Sequence, residues 1–335
     1  MRRSAIANPH GTYELTQCPV CNSPDSAEVA DRNAMRTEVE RVWEFHQQRL
    51  YAAIPPRYLL DRVAFSQATP IRLAQCRNCS HLFRNPRERV ETLESAYDAN
   101  APDGSVLQEL FDTQRSAYRH QVARLKQVTG KSGRGLEVGS YVGGFLAAAR
   151  DAGWAFEGVD VSEAASVFAV RNGFTVTRGT IESVSTQNPY DVVAIWNTFE
   201  QLYDSRSAVT AAHRLVRRGG TMVVRIPNGE FYLRWRARLG GSAAGMAERV
   251  LVHNNLLSFP YRQGFTEKSL TRLLRGAGFE IERVYGDTLV PVADRWTTLY
   301  GALEERAVKA VERLAQRLGQ RQWRAPWVEV YARAK

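Results

Sequence analysis

The 335-residue sequence lacks any apolar run long enough to cross a bilayer, which takes about 20 residues. Its first nine residues also lack the continuous apolar core of a secretion signal. Both absences argue against a membrane-spanning or secreted protein, so we expect a soluble cytoplasmic one. Hydrophobic residues make up 44% of the chain and aromatic residues 10%, as in ordinary globular proteins, and the length is sufficient for two domains.

Lysine is scarce, with only five among the 45 basic residues. The net charge of +10 therefore comes from arginine, which is interspersed with acids along the whole chain and forms no basic block. A basic surface can attract polyanions through counterion release, so the charge leaves an RNA substrate open without requiring one.

Cysteine is also scarce, but its placement is informative. All four cysteines fall in two C-x-x-C pairs, Cys18 with Cys21 and Cys76 with Cys79. Two such pairs can complete a tetrahedral zinc site with no open position, so we expect a structural metal. The alternatives are a redox-active pair, which needs a thioredoxin-like context not visible here, and two disulfides, which the cytosol disfavours.

The long gap between the cysteine pairs must fold back to bring the sulfurs together. It contains an amphipathic helix near residues 35–50 and a strand-like segment at 71–75. Because four thiolates already satisfy the metal, His81 is expected at the surface or as a cap. We assign residues 1–86 to a zinc-ribbon-like module with a helical insertion.

Residues 135–145 form a strand, a glycine-rich turn and the start of an apolar helix, and a second strand ends at Asp160. This arrangement is typical of a ribose-binding unit. Tyr141 stands where a dinucleotide fingerprint needs its second glycine, and the Glu137 carboxylate would repel phosphate but attract an ammonium group. The predicted ligand carries a ribose diol and a cation, as S-adenosylmethionine does. A plainer role for Asp160 is a helix N-cap.

These residues resemble the class I S-adenosylmethionine-dependent methyltransferases, whose first motif runs acid-x-Gly-x-Gly-x-Gly. The resemblance covers roughly residues 130–290 and implies that Glu137 binds the methionyl ammonium and Asp160 the ribose, with Thr180 and Ile181 near the adenine. The full predicted set of cofactor contacts is Glu137, Gly139, Ser140, Tyr141, Gly143, Asp160, Val161, Thr180, Ile181 and Asn197.

Alternating strands and helices after residue 135 predict an α/β fold with a doubly wound, mostly parallel sheet. Helices between the strands are expected near residues 143–152, 162–171, 181–185 and 205–217. The resemblance implies seven strands, the last two forming a reversed hairpin. Residues 87–130 read as a helical connector or lid. The methyltransferase domain would then span 131–335, with a helical insertion at about 298–322.

The acceptor side is less well defined. Glu200 follows the fourth strand, where the resemblance implies a residue near the transferable methyl group, but Gln201 replaces the usual histidine. His253 lies in a loop expected over the substrate and could take a proton from a hydroxyl nucleophile. Glu200 and His253 are the two catalytic candidates.

We therefore predict methyl transfer to a small molecule or glycan. One alternative is an RNA methyltransferase in which the zinc module holds RNA, although no aromatic and basic stacking platform is visible. Another is a catalytically silent cofactor-binding scaffold, because Tyr141, Thr180 and Gln201 depart from the family pattern. A nicotinamide oxidoreductase is disfavoured by Tyr141 and Glu137. The sequence indicates neither the acceptor atom nor the oligomeric state.

Overall fold

The computed structural model describes residues 13–54, 72–89, 104–254, 256, 261–289 and 294–335. Predictions for the first residues of the chain, for most of the insertion after residue 54 and for the break near residue 100 lie outside these ranges. Within them, no helix is both long and apolar enough to cross a membrane.

The main sheet has seven strands, in the order β12-β13-β10-β9-β6-β7-β8. The strands are β6 (Arg134–Val138), β7 (Ala155–Asp160), β8 (Val176–Arg178), β9 (Tyr190–Trp196), β10 (Val216–Pro227), β12 (Phe279–Asp287) and β13 (Trp327–Ala334). The five strands from β10 to β8 are parallel, whereas β13 runs antiparallel between β10 and β12. The predicted mostly parallel seven-stranded sheet and its reversed final pair are confirmed.

Ten helices flank the strands in the described ranges. They are α1 (Arg32–Gln48), α2 (Gly104–Ala117), α3 (Arg119–Thr129), α4 (Gly144–Asp151), α5 (Glu163–Arg171), α6 (Ser205–Leu215), α7 (Gly229–Arg236), α8 (Ala244–Leu251), α9 (Glu267–Gly276) and α10 (Leu299–Arg317). Several begin at the oxygen-bearing residues that favour N-caps, among them Asp31, Ser162 and Thr266.

Two short segments differ from their predicted structures. Residues 181–185 were expected to be helical, but only a single 3₁₀ turn forms, at Ile181–Ser183. Arg87–Glu88, expected to start the helical connector, instead form strand β5, which pairs with β1 at Tyr13–Glu14. Both segments are too short for hydrophobic periodicity to distinguish their structures.

A second, four-stranded sheet lies in the amino-terminal part of the chain. It contains β2 (Ser26–Ala30), β3 (Leu73–Cys76) and β4 (Leu82–Arg84), and its edge strand is β11 (Gln263–Gly264). β11 lies far along the chain from β4, with Gln263 opposite Phe83, and the two strands pair antiparallel. Backbone pairing therefore joins the cysteine-containing module to the main domain.

The core of the main domain covers both faces of the sheet. One cluster combines β6, β9 and β10 with α6 and α9, and the other packs α2, α3 and α4 onto the opposite face. In the second cluster Phe145 contacts Tyr118 and Trp196 at ring-centroid distances of 5.6 and 5.1 Å. Helices α2 and α3 thus pack directly on α4, the first helix of the α/β unit.

Candidate functional site

The glycine-rich loop at 139–143 joins β6 to α4 at the carboxyl edge of the sheet. Gly139, Tyr141 and Gly143 have φ values of 72°, 46° and 80°, in the left-handed region. A Cβ atom at Gly139 would lie 2.4 Å from the Thr198 Oγ1 atom, so no larger residue fits without movement. Tyr141 replaces a glycine of the family motif but keeps a left-handed backbone.

Asp160 ends β7 and faces this loop. Its carboxylate accepts hydrogen bonds of 2.8 Å from the Tyr141 and Ser162 backbone N–H groups. The cap of α5 is Ser162, whose hydroxyl accepts from the Ala165 N–H, so Asp160 is not the N-cap residue. Burial raises the pKa of Asp160, and the two N–H donors oppose that shift. Val161, beside it, is half-buried.

Glu137 lies on β6, directly before the glycine-rich loop. It is 2% exposed, and its Oε2 atom has no hydrogen-bond partner among the described residues. Burial, and secondarily the charge of Asp160, raise the pKa of Glu137 well above its usual value. A cation placed between these two acids would favour their ionised forms.

Asn197 follows β9 at the same edge and has a φ of 54°. Its Nδ2 atom donates to the Tyr118 hydroxyl at 3.3 Å, and its Oδ1 atom accepts from Arg225. Arg225 is 1% exposed and also donates to Asp287 at 2.8 Å. The asparagine is therefore held between a tyrosine at the junction of α2 and α3 and an arginine of β10.

Glu200 lies in the 3₁₀ turn after β9, at Phe199–Gln201. The side chain is fully buried, and neither carboxylate oxygen has a hydrogen-bond partner among the described residues. Burial raises the pKa of Glu200 to about 8, while the charge of Arg225 acts in the opposite direction. The carboxyl group is mostly protonated at neutral pH and releases its proton at a slightly alkaline pH, near 8.

The remaining predicted cofactor residues have mixed environments. The Gly179 N–H donates to the Asp160 carbonyl at 2.9 Å, which brings the Thr180 segment to the same edge. Thr180 is exposed, whereas Ile181 is 1% exposed and packs in the core. Ser140 is 2% exposed within the loop. The Ile181 side chain thus has little free surface, and its contact with adenine stays a prediction.

His253 lies after α8 and is half-buried. Its ring is 5.0 Å from that of Phe45 on α1, and its backbone carbonyl accepts from the Trp327 indole N–H at 3.0 Å. Burial, and then the charge of Arg49, lower the pKa of His253 to about 4. The imidazole is neutral near pH 7 and is a weak base.

The four cysteines come together at one point. Their Sγ atoms all lie within 4.8 Å of one another, with 3.5 Å between Cys18 and Cys79 and between Cys21 and Cys76. All four are free thiols, and three are buried. Zinc–sulfur bonds of about 2.3 Å in a tetrahedron separate the sulfurs by about 3.8 Å, so the cluster suits zinc.

Both cysteine turns have the same backbone geometry. The Asn22 N–H donates to the Cys18 carbonyl at 2.9 Å, and the Ser80 N–H donates to the Cys76 carbonyl at the same distance. Asn22 and Ser80 have φ values of 55° and 63°. Two equivalent tight turns therefore present their thiols to a common centre.

Residues 111–284, more than half of the chain, match the family described as Methyltransferase domain. The chain belongs to this family. No match was found among curated proteins.

Three solved structures illustrate the likeness. A SAM-dependent methyltransferase from Thermotoga maritima, described as a possible histamine N-methyltransferase, is 18% identical with a TM-score of 0.42, covering 68% of this chain and 91% of that one. Magnesium protoporphyrin IX methyltransferase from Synechocystis with bound SAH is 14% identical with a TM-score of 0.41, covering 73% of this chain and 93% of that one. A SAM-dependent methyltransferase from Archaeoglobus fulgidus is 16% identical with a TM-score of 0.43, covering 69% of this chain and 100% of that one.

The cysteine module of this methyltransferase-family chain reaches the Glu200 turn through main-chain contacts. The Arg84 N–H of β4 donates to the Arg262 carbonyl at 2.9 Å, and the Arg262 N–H donates to the Glu200 carbonyl at 3.0 Å. His81 was expected at the surface or as a cap, but it is fully buried, and its Nε2 atom lies 3.1 Å from the Gln263 Oε1 atom. That expectation was wrong because β11 covers this side of β4.

Sequence reasoning missed Tyr118 and Arg225 as candidate site residues. Tyr118, at the junction of α2 and α3, is buried, and its hydroxyl accepts a hydrogen bond from Asn197. Arg225 follows a run of apolar strand residues on β10. An arginine inside a central strand was an available signal, because a buried charge requires partners.

Proposed function

We propose that the protein transfers a methyl group from S-adenosylmethionine to a small-molecule or glycan acceptor. The observation that carries this proposal is the pair of buried acids, Glu137 and Asp160, beside a loop held in the left-handed conformation. A buried carboxylate oxygen without a partner is costly unless a ligand supplies one. Membership of the methyltransferase family supports a sulfonium nucleoside as that ligand.

The residues present fit this cofactor. Glu137 would bind the methionyl ammonium, Asp160 the ribose hydroxyls, and Gly139 would allow close backbone approach. When bound, the cofactor supplies an electrophilic methyl group on a sulfonium. Asn197, fixed by Tyr118 and Arg225, would contribute a polar contact at the edge nearest the acceptor.

We favour Glu200 over His253 as the proton acceptor. With its pKa near 8, Glu200 in its ionised form, which predominates above about pH 8, can take a proton from a hydroxyl or ammonium group, whereas the pKa near 4 makes His253 a poor base. Alignment of the acceptor with the methyl group would supply a further part of the rate enhancement.

The four cysteines would hold one structural zinc ion. With four sulfur ligands the ion has no open position, so its role is to order the module. Because β4 pairs with β11 and Arg262, the residue just before β11, donates its backbone N–H to the Glu200 carbonyl, the ordered module would support the wall of the acceptor pocket. This contact favours a role in shaping a pocket over a role in holding a separate RNA.

The domain division predicted from the sequence stays a proposal. Residues 1–86 would form the zinc module, 87–130 a connector and 131–335 the methyltransferase domain. Packing of α2 and α3 against α4 supports grouping those two helices functionally with the third domain, because Tyr118 reaches Asn197 from their junction.

Isothermal titration of the purified protein with S-adenosylmethionine tests the proposal. We expect binding to the wild type and a loss of about 30-fold or more in Asp160→Ala, because a carboxylate that holds two ribose hydroxyls is removed. Asp151→Ala, which removes an exposed partner of Arg115, is the matched control and should bind normally. No binding to the wild type, or equal binding to both variants, would overturn the assignment. Turnover with acceptor extracts and labelled cofactor then separates an enzyme from a silent scaffold.

A further inference from the structure

Helix α10 has its polar side toward the protein and its apolar side toward solvent. Six of its large apolar residues, counting the one that follows its last turn, are 54–79% exposed: Leu299, Tyr300, Leu303, Val311, Leu314 and Leu318. A helix on the surface of a globular protein normally buries such a stripe. The exposed stripe requires an explanation that methyl transfer does not provide.

The inward side of α10 is held by polar contacts. Arg49 contacts Glu304 at 3.3 Å and Glu305 at 3.5 Å, and Gln316 donates to the Gly286 carbonyl at 3.0 Å. These contacts fix which side of the helix faces solvent.

The charges on the exposed side are all of one sign. Arg306, Arg313 and Arg317 are exposed, and none forms an ion pair within the part of the chain described. The three acids of the helix are turned inward or partly covered. At about 100° per residue, the arginines lie along one border of the apolar stripe, and the whole exposed face covers an arc of about 160°.

We propose that this face of α10 binds an anionic lipid surface, lying in the plane of the membrane interface. An apolar stripe bordered by arginines inserts its leucines among the acyl chains while the guanidinium groups meet lipid phosphates. An antiparallel second copy fits less well, because its two-fold axis would bring the arginine borders of both copies together without an opposing acid.

Flotation with lipid vesicles tests this using the full-length, metal-containing protein. We expect binding to vesicles of equimolar phosphatidylglycerol and phosphatidylcholine, weakened by salt, and little binding to phosphatidylcholine alone. The double variant Leu303→Gln with Leu314→Gln should bind about tenfold or more weakly, and Arg306→Gln with Arg313→Gln should lose most of the salt dependence.

The matched control is Val167→Gln with Val170→Gln, which removes two exposed apolar residues from α5 and should bind like the wild type. All substituted residues are exposed, so unchanged melting temperatures are expected. Absence of binding to anionic vesicles would overturn the proposal, as would equal loss in the control. A dimer in sedimentation velocity that the leucine variant abolishes would assign the face to a second copy instead.

Discussion

Acidic residues at the two ends of the central sheet differ in whether they have charged or hydrogen-bonded partners. At the carboxyl edge, Glu137 and Glu200 are buried, lack hydrogen-bond partners on at least one oxygen among the described residues, and have raised pKa values. Toward the amino edge, Asp191 pairs with Arg217 at 2.6 Å and Glu157 with Arg134 at 2.7 Å. Asp191 and Glu157 are thus neutralised by arginines where they serve the fold, whereas Glu137 and Glu200 have no ion pair among the described residues where a ligand is proposed to bind.

Removal of zinc should have the largest effect on local stability, and this effect should be confined to the carboxyl edge of the sheet. Structural zinc contributes about 10 kcal/mol or more in small zinc modules. We expect a chelator, or Cys76→Ser, to speed hydrogen exchange at residues 199–202 and 262–264, since both depend on β4. Exchange at residues 155–157, on the other side of the sheet, should not change. If exchange at residues 199–202 and 262–264 is the same with and without zinc, the proposed support of the acceptor pocket is wrong.

Replacing one acid at each end of the sheet by its amide should lower the cofactor affinity at the carboxyl edge only. Glu137→Gln should weaken S-adenosylmethionine binding by about 2–5 kcal/mol, because a buried ammonium loses its charged partner. Glu157→Gln makes the same chemical change on the adjacent strand, beside Arg134, and should leave the affinity within about twofold. Titration calorimetry on both variants measures the difference, and similar losses would remove the distinction between the two ends.

Alanine substitution at two glycines with nearly the same φ should separate the destabilising effect of steric crowding from that of the left-handed backbone. Gly139→Ala should destabilise the protein by about 3 kcal/mol, since the new Cβ meets Thr198 in addition to the left-handed strain. Gly130→Ala, with φ of 75° and no atom within 4 Å of the new Cβ, should lose only about 1 kcal/mol. Chemical denaturation gives both values, and an equal loss would mean that the loop at 139 tolerates movement.

Glu200→Gln should change how stability depends on pH. The folded-state pKa of about 8 lies above the unfolded value, so Glu200 favours folding below about pH 4.5 and this contribution is lost as the pH rises toward 8. The expected slope is about 1.4 kcal/mol per pH unit for one proton. Melting curves from pH 5 to 9 should therefore fall less steeply in the variant. A parallel decline in both proteins would show that Glu200 ionises normally.

The elements predicted well from the sequence are those with local signals. The strand, glycine turn and acid from 135 to 160 were predicted nearly to the residue, because apolar runs and glycine positions specify them locally. The cysteine pairs also implied their own clustering.

The parts that were not predicted depend on contacts between distant residues. Tyr118 and Asn197 are 79 positions apart, and Arg225 and Asp287 are 62 apart. No window of sequence indicates such pairs. The two-residue strand β11 has too few residues for a pattern, so the burial of His81 beneath it could not be foreseen either.

Strand β11 also sets a condition on synthesis of the protein. The amino-terminal sheet lacks its edge partner until a segment 182 positions beyond His81 has left the ribosome. During that interval the outer edge of β4 is an unpaired strand, the kind of surface on which nascent chains associate wrongly. A fragment ending near residue 86 would keep that open edge permanently, so the module excised alone should aggregate unless residues 261–265 are supplied in trans.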